Sequence, residues 1–431
     1  MPGRFVYQNG AVLLWQVNAR VEEERGMSSD WARDRHAELC ERREPQDVLE
    51  GPGYLYRPRQ ILVSQTPQVG SVIKGLAERG AVEDPKLTEE FARAKLPVLA
   101  FLMPPRVHIP GIVDEFRGRG VAPNHVFCGE GPPPPDYHGG PAGEPHDAMA
   151  LDEDPYAEPE DVPVLVAVLD TGYDPEVPAL HKGLAWRVRY TAADVEAPVG
   201  ADGYLTSEGG HGTFIDGIIM RIAPSARIRQ VKVLDPAGVG DDATTALALG
   251  RADAPVINLS LGGYTADDQP PVASTAAIAA LPAGTAVVAA AGNNNKARPF
   301  YPAATEGVLS VGAVDIHRGR PRRAHFSNYG PWVRVWLPGT RIRSTYLQGI
   351  WKRPSDPLPR PMHGTACWNG TSFAAPQLAA LIANQIKAAG TAAAAADAVL
   401  ASAVGRARLG PVIIPEPGVA DCEVVRESAE A

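Results

Sequence analysis

Four short stretches of this chain hold side chains of the kinds that acyl transfer needs. Ser372 stands in Asn369-Gly370-Thr371-Ser372-Phe373-Ala374-Ala375-Pro376, at the head of an Ala- and Leu-rich run over 374–389 that predicts a helix. A serine there sits among unpaired N–H groups and the positive end of a helix dipole, which favour an anion near its oxygen. Alone, it is better read as an ordinary helix cap, since serine is a preferred cap. Asp170 stands in Val168-Leu169-Asp170-Thr171-Gly172, where an apolar run ends. His211 stands in Gly209-Gly210-His211-Gly212-Thr213, before a second helical pattern, and Asn293 in Ala289-Ala290-Ala291-Gly292-Asn293-Asn294-Asn295, just past another apolar run. Each has a plain alternative: a turn aspartate, a solvated histidine, an asparagine suited to left-handed backbone beside Gly292.

The chemistry explains why the four types belong together. A serine hydroxyl is a weak nucleophile and needs a base to take its proton. An imidazole titrating near neutrality is that base, and a buried carboxylate fixes its tautomer and stabilises its charged form. An amide or backbone N–H then holds the oxyanion that develops on the attacked carbonyl. Such a set must be positioned by a rigid frame. Residues 164–169, 227–233, 256–261, 285–290 and 308–314 are short and mostly apolar and alternate with helical stretches. That is the pattern of a parallel sheet covered on both faces, with ligands gathered at the C-terminal ends of its strands. A further helix is expected over 391–401.

With these motifs in hand, residues 162–389, roughly half of the chain, resemble the subtilisin-like serine peptidases. The matching stretches are 168–172, His211-Gly212-Thr213, Val256-Ile257-Asn258-Leu259-Ser260-Leu261-Gly262-Gly263 and 289–293. Val311-Gly312-Ala313-Val314, Phe326-Ser327-Asn328-Tyr329-Gly330, Pro338-Gly339-Thr340 and 370–376 complete them. The resemblance implies an α/β fold, a subtilisin-like parallel sheet flanked by helices. It implies Asp170, His211 and Ser372 as the triad and Asn293 as the oxyanion donor. Ser260, Leu261 and Gly262 would form an edge that pairs with an extended substrate, as in β-augmentation; Ala290, Ala291 and Gly292 would line the opposite wall of the primary specificity pocket. Three positions depart from the family: Phe214 and Gln377 stand where histidine is usual, and Asp216 replaces a small residue. The departures touch packing or pH response rather than the catalytic groups. No calcium loop is recognisable, and neither a metal nor a cofactor is expected.

The rest of the chain frames these stretches. Of 431 residues, 45% are hydrophobic and 21% charged, as in an ordinary globular protein long enough for one large domain and a smaller one. The net charge of −9 is concentrated: residues 129–161 hold ten acidic groups and no Lys or Arg, leaving 41 basic against 40 acidic elsewhere. Near-neutral folded parts give no reason to expect a nucleic-acid partner. The eight Pro and five Gly of 129–161 predict an extended linker between an N-terminal region, 1–128, and the domain at 162–420, followed by a polar tail at 421–431. Asn9-Gly10 between apolar runs predicts a hairpin over 5–15, and 28–43 a helix. Residues 60–64, 69–79, 81–82, 96–103, 110–117 and 121–128 predict the β-α-β-β-α-β order of a ferredoxin-like α+β domain. It would be either a propeptide that blocks the cleft or a permanent accessory domain. No apolar run approaches the roughly 18 residues of a membrane span, and no secretory signal is recognisable, so a cytoplasmic protein with reduced cysteines is expected. Hydrolysis of peptide bonds is the expected activity; peptide ligation through the same acyl-enzyme, or silent peptide binding, are the competing readings.

Overall fold

The computed structural model describes residues 36, 48–129, 145–148, 163–184, 186–352, 359–406, 409–415 and 422. The hairpin expected over 5–15 and nearly all of the helix over 28–43 lie outside them. The first sheet is built from β1 (Leu49–Gly51) and β2 (Tyr54–Ser64), followed by α1 (Val69–Glu78) and β3 (Val82–Glu83). Next come α2 (Pro85–Arg93), β4 (Val98–Leu102), α3 (Ile109–Glu115) and β5 (Val121–Cys128). β5, β2, β4 and β3 are neighbours in that order, all antiparallel. The expected order is present with two additions, β1 ahead of it and, within it, α2. Its apolar stripe is only Leu87 and Phe91, four apart, which is a short signal; the stop and start signals decide it. Asp84 caps it by accepting the Leu87 N–H at 3.1 Å, Pro85 opens it, and Phe91 is fully buried.

Within the segment expected to be an extended linker, β6 (His146–Asp147) pairs with a strand near the end of the chain. A two-residue edge strand leaves no compositional trace, so the expectation is corrected there.

The large sheet begins with β7 (Leu165–Asp170), then β8 (Val188–Arg189), α4 (His211–Ile222), β9 (Arg227–Lys232), α5 (Asp242–Leu249), β11 (Val256–Leu259) and α6 (Val272–Ala280), while β10 (Val239–Asp241), between β9 and α5, joins the first sheet beside β5. The chain continues with β12 (Ala286–Ala290), β13 (Leu309–His317), β14 (Arg320–Arg323) and β15 (Val335–Pro338) of the same sheet, then β16 (Ile342–Trp351) and β17 (Arg360–Trp368), which form a separate three-stranded sheet with β6. The chain ends with α7 (Thr371–Ala389), α8 (Ala392–Ala401), β18 (Val404–Arg406) and β19 (Gly410–Val412). β15, β13, β12, β11, β7, β9 and β8 lie side by side and run parallel. Alternation along β7 decides the layers. Val166 and Val168 face α4, α7 and α8, with Ile218 and Leu378. Ala167 and Leu169 face α5 and α6, with Leu249 and Ala277. Leu62, Val98, Ala100 and Phe127 of the first sheet join that second core. One helix layer therefore separates two sheets.

Reduced cysteines were expected; instead Cys367 and Cys422 are joined in a disulfide, with Cα atoms 6.0 Å apart. Fifty-five residues separate them in sequence, so only the fold reveals that their backbones approach within bridging distance. Cys422 is thus buried rather than part of a frayed tail; the rest of 421–431 lies outside the described residues. No helix among the described residues is long and apolar enough to cross a membrane.

Candidate active site

Asp170 closes β7 and is fully buried. Its Oδ1 accepts the Thr171 N–H at 2.8 Å and the His211 Nδ1–H at 2.7 Å. His211 opens α4 behind Gly210, whose φ of 80° is left-handed and whose added Cβ would lie 2.6 Å from Leu347 Cγ. Any side chain at 210 would therefore strain the backbone and displace the histidine. The His211 ring meets Trp368 edge-on at 5.4 Å and Phe373 at 5.3 Å, which walls it off from water. Burial alone pushes its pKa down, but the Asp170 charge and hydrogen bond, with Glu208 and Glu196 beyond, outweigh burial and raise it to about 9.

Ser372 is the second residue of α7 and 1% exposed. Its Oγ–H donates to the Ser260 carbonyl at 3.4 Å, and its own carbonyl accepts the Ser260 Oγ–H at 2.8 Å. Asn258 in turn donates from Nδ2 to Ser260 Oγ at 3.0 Å. Among the described residues no hydrogen bond joins Ser372 to His211, although the ring of Phe373, the next residue, lies 5.3 Å from the His211 ring. Such nucleophile–base contacts are commonly long without substrate.

Asn293 lies just beyond β12, with its amide oriented by one residue. Its Oδ1 accepts both the Thr371 N–H, at 2.8 Å, and the Thr371 Oγ1–H, at 2.9 Å. Its Nδ2 is buried and has no partner among the described residues. Thr371 Oγ1 also accepts the Gly292 N–H at 3.0 Å. Sequence reasoning missed Thr371; its position immediately before the serine was the available signal. An amide with its oxygen fixed twice and its N–H groups unused is a pre-set donor.

Leu261 and Gly262 follow β11 along a cleft whose other wall is β10. Gly262 exchanges two backbone bonds with Cys128, at 2.8 and 3.0 Å. On the opposite side β10 pairs with β5, Val239 facing Cys128 and Asp241 facing Val126, and the Gly129 N–H reaches the Gly238 carbonyl at 2.8 Å. Residues 126–129 are thus the middle strand of three. A Cβ on Gly262 would fall 2.3 Å from the Phe300 ring and 2.6 Å from the Tyr301 carbonyl, so the edge needs glycine to lie this close. Ala290 and Ala291 are fully buried, and the Ala291 and Gly292 carbonyls accept from Asn328 Nδ2 at 2.9 Å and its backbone N–H at 2.8 Å.

The three departures are structural. Phe214 stacks in the aromatic group, 4.6 Å from the Phe373 ring. Gln377 donates to the Pro338 and Phe373 carbonyls at 2.6 and 2.7 Å. Asp216, buried and raised well above the carboxylate range by desolvation, accepts from Gln230 Nε2 at 2.7 Å. Among the described residues no cluster of three or more His, Cys, Asp or Glu is placed to hold a metal.

The model of the subtilase family matches residues 162–410, more than half of the chain. The chain belongs to the subtilase family. This subtilase is 36% identical over 236 residues to the thermophilic serine proteinase of Bacillus sp. (strain AK1), covering 51% of this chain and 52% of that one. It is 34% identical over 229 residues to subtilisin Savinase of Lederbergia lenta, covering 50% of this chain and 73% of that one. The chain spans about half the length of the first of these relatives. Fervidolysin from Fervidobacterium pennivorans, a keratinolytic enzyme related to subtilisin, shares the fold with a TM-score of 0.56 at 21% identity, over 83% of this chain and 60% of that one.

Proposed function

We propose that this subtilase is a serine endopeptidase held in check by its own N-terminal domain. In this reading Ser372 Oγ attacks the substrate carbonyl while His211 Nε2 takes its proton. Asp170 keeps the other proton on Nδ1 and stabilises the imidazolium. The oxyanion forms toward Asn293 Nδ2; the C–N bond then breaks, the amine leaves with the proton from His211, and water repeats the sequence to free the acid. The observation that carries the reading is the buried, unpartnered Asn293 Nδ2 beside an oxygen clamped by Thr371. Incubation of the chain with a protein substrate in ¹⁸O-water tests it. Internal cleavage with label in the new C-termini is expected once residues 126–129 leave the cleft; unlabelled, amine-joined products would favour ligation, and substrate that stays intact after the N-terminal domain has left would sink the reading. Asn293→Leu should lower kcat by about 10²–10³, the loss known for such a donor in a subtilisin, with KM little changed.

The inhibitory reading rests on residues 126–129 occupying the strand position an extended substrate would need. Docking is supported by Arg57 on Asp241 at 2.9 Å and by Arg298, which donates to the Gly53 carbonyl at 2.6 Å while Thr265 and Asp268 of its own domain hold it. His125 on β5 accepts the Ala266 N–H through Nε2 at 3.0 Å, and burial, with Arg298 nearby, depresses its pKa to about 3. The unfolded value is about 6.5, so the unfolded or undocked chain binds the extra proton between those values. Docking should therefore be fully supported above about pH 6.5 and weaken as pH falls toward 3. Peptide turnover of the wild type divided by that of His125→Gln, a ratio in which the shared titration of His211 cancels, should rise as pH falls from about 6.5 toward 3. An equal slope in both proteins would rule out His125 as its source.

A further inference from the structure

One carboxyl beside the site takes no part in the reaction as written. Glu196 is 3% exposed and is anchored through its backbone N–H on the Tyr173 carbonyl at 2.9 Å, three residues past Asp170. Its Oε1 accepts the Gly210 N–H at 2.9 Å. On the other side of the histidine, Thr171 Oγ1 accepts the Gly212 N–H at 3.1 Å. The backbone N–H groups on either side of His211 are therefore each held by a side chain, and both side chains belong to the layer that carries Asp170. These N–H groups lie at the start of α4, where none has an intrahelical acceptor.

We propose that Glu196 is a positioning residue: with Thr171 it clamps the Gly210–Gly212 backbone so that the His211 ring meets both Asp170 and the proton of Ser372. The proposal rests on His211 being the general base. Charged or titratable groups face Glu196 from several elements: Asp170 and Asp174 on its β7 side, Asp216, Glu208 and His211 from α4 and its approach, and Tyr346 from β16. Lys232 of β9 donates from Nζ to the neighbouring Val195 carbonyl at 3.2 Å. Burial raises the Glu196 pKa to about 8, against the Gly210 and Thr171 contacts that favour its charged form. Near neutrality it serves as an uncharged acceptor; once ionised it adds negative charge beside the imidazole and favours the protonated ring, postponing the release of the base.

Glu196→Ala and Glu196→Gln test this in the full chain, with the N-terminal domain present in every arm. Glu196→Ala should lower kcat about 10- to 100-fold with KM within about twofold, as expected when a catalytic group shifts by about 1 Å. Glu196→Gln keeps an oxygen for the Gly210 N–H, so it should recover kcat to within about threefold of wild type. It should also move the rise of rate with pH to lower pH, because the extra charge is gone. A merely structural glutamate would also be rescued by glutamine, but it would not move the pH profile. The proposal is overturned if Glu196→Ala turns over like wild type, if Glu196→Gln is as slow as alanine, or if its pH profile superimposes on the wild type. Should Glu196→Ala fail to fold, the Glu196→Gln profile decides. A wild-type chain that a serine-directed phosphonate does not label even after residues 126–129 have left the cleft would sink the general-base reading and this one with it; a labelled wild type beside an unimpaired Glu196→Ala sinks this one alone.

Discussion

Ser372→Ala is expected to give a folded chain that no longer reacts with a serine-directed phosphonate and turns over peptide about 10⁶-fold more slowly, the loss known for this change in a subtilisin. Rate should not vanish entirely, since the oxyanion donor and substrate binding still act without a nucleophile. The fold should be untouched. The side-chain hydroxyl makes one weak contact, at 3.4 Å, while the tight bond from Ser260 goes to the backbone carbonyl, which alanine retains. Alanine is also the better helix former inside the first turn of α7. Unchanged melting with lost labelling would isolate the hydroxyl as the reactive atom. Labelling that persists in the variant would place the nucleophile elsewhere.

Much of the frame was legible because its signals are local. The central strands repeat short apolar runs, and a buried parallel strand needs only that. The glycines that flank His211 stood in its motif, and the structure supplies their reason in the contact between position 210 and Leu347. What escaped depends on residues far apart in sequence. The Cys367–Cys422 bridge, the addition of β6 to β17 and the pairing of Cys128 with Gly262 each join distant segments that share no motif. Glu196 escaped for the same reason: it is one acid among fifty until the fold sets it against the Gly210 N–H. Thr371 is the instructive middle case. It was quoted beside Ser372, but its role lies in reaching back to Asn293 and Gly292, which only the packing of α7 against β12 creates.

The two sheets are coupled through one layer. α5 and α6 bury their apolar faces against the large sheet and against Leu62, Val98 and Phe127 of the small one. The strand that fills the cleft, β5, is the same strand that pairs with β2 in the small sheet and contributes Phe127 to that shared core. Leaving the cleft therefore means exposing apolar surface as well as breaking backbone bonds, each of which is worth about 0.5–1.5 kcal/mol net. A domain attached in this way should leave cooperatively rather than fray from one end.

Asp170→Asn is the sharper test of how the base is tuned. A neutral amide in a fully buried site can no longer stabilise an imidazolium, and it can hold His211 in the wrong tautomer, so kcat should fall by about 10⁴. The pH profile should move in the opposite sense to a simple loss of base. The Asp170 charge and hydrogen bond are the main influences that raise the His211 pKa to about 9 against burial. Without them burial dominates, so His211 should lose its proton at lower pH and be more fully deprotonated at neutrality than in the wild type. A variant whose base is more available yet far slower separates charge stabilisation in the transition state from base supply. Rates measured from pH 5 to 10, with the His211 ring followed by NMR, would show both. A slow variant whose His211 still titrates where the wild type does would mean that the partner setting its pKa is not Asp170, and that the carboxylate acts only to hold the ring in place.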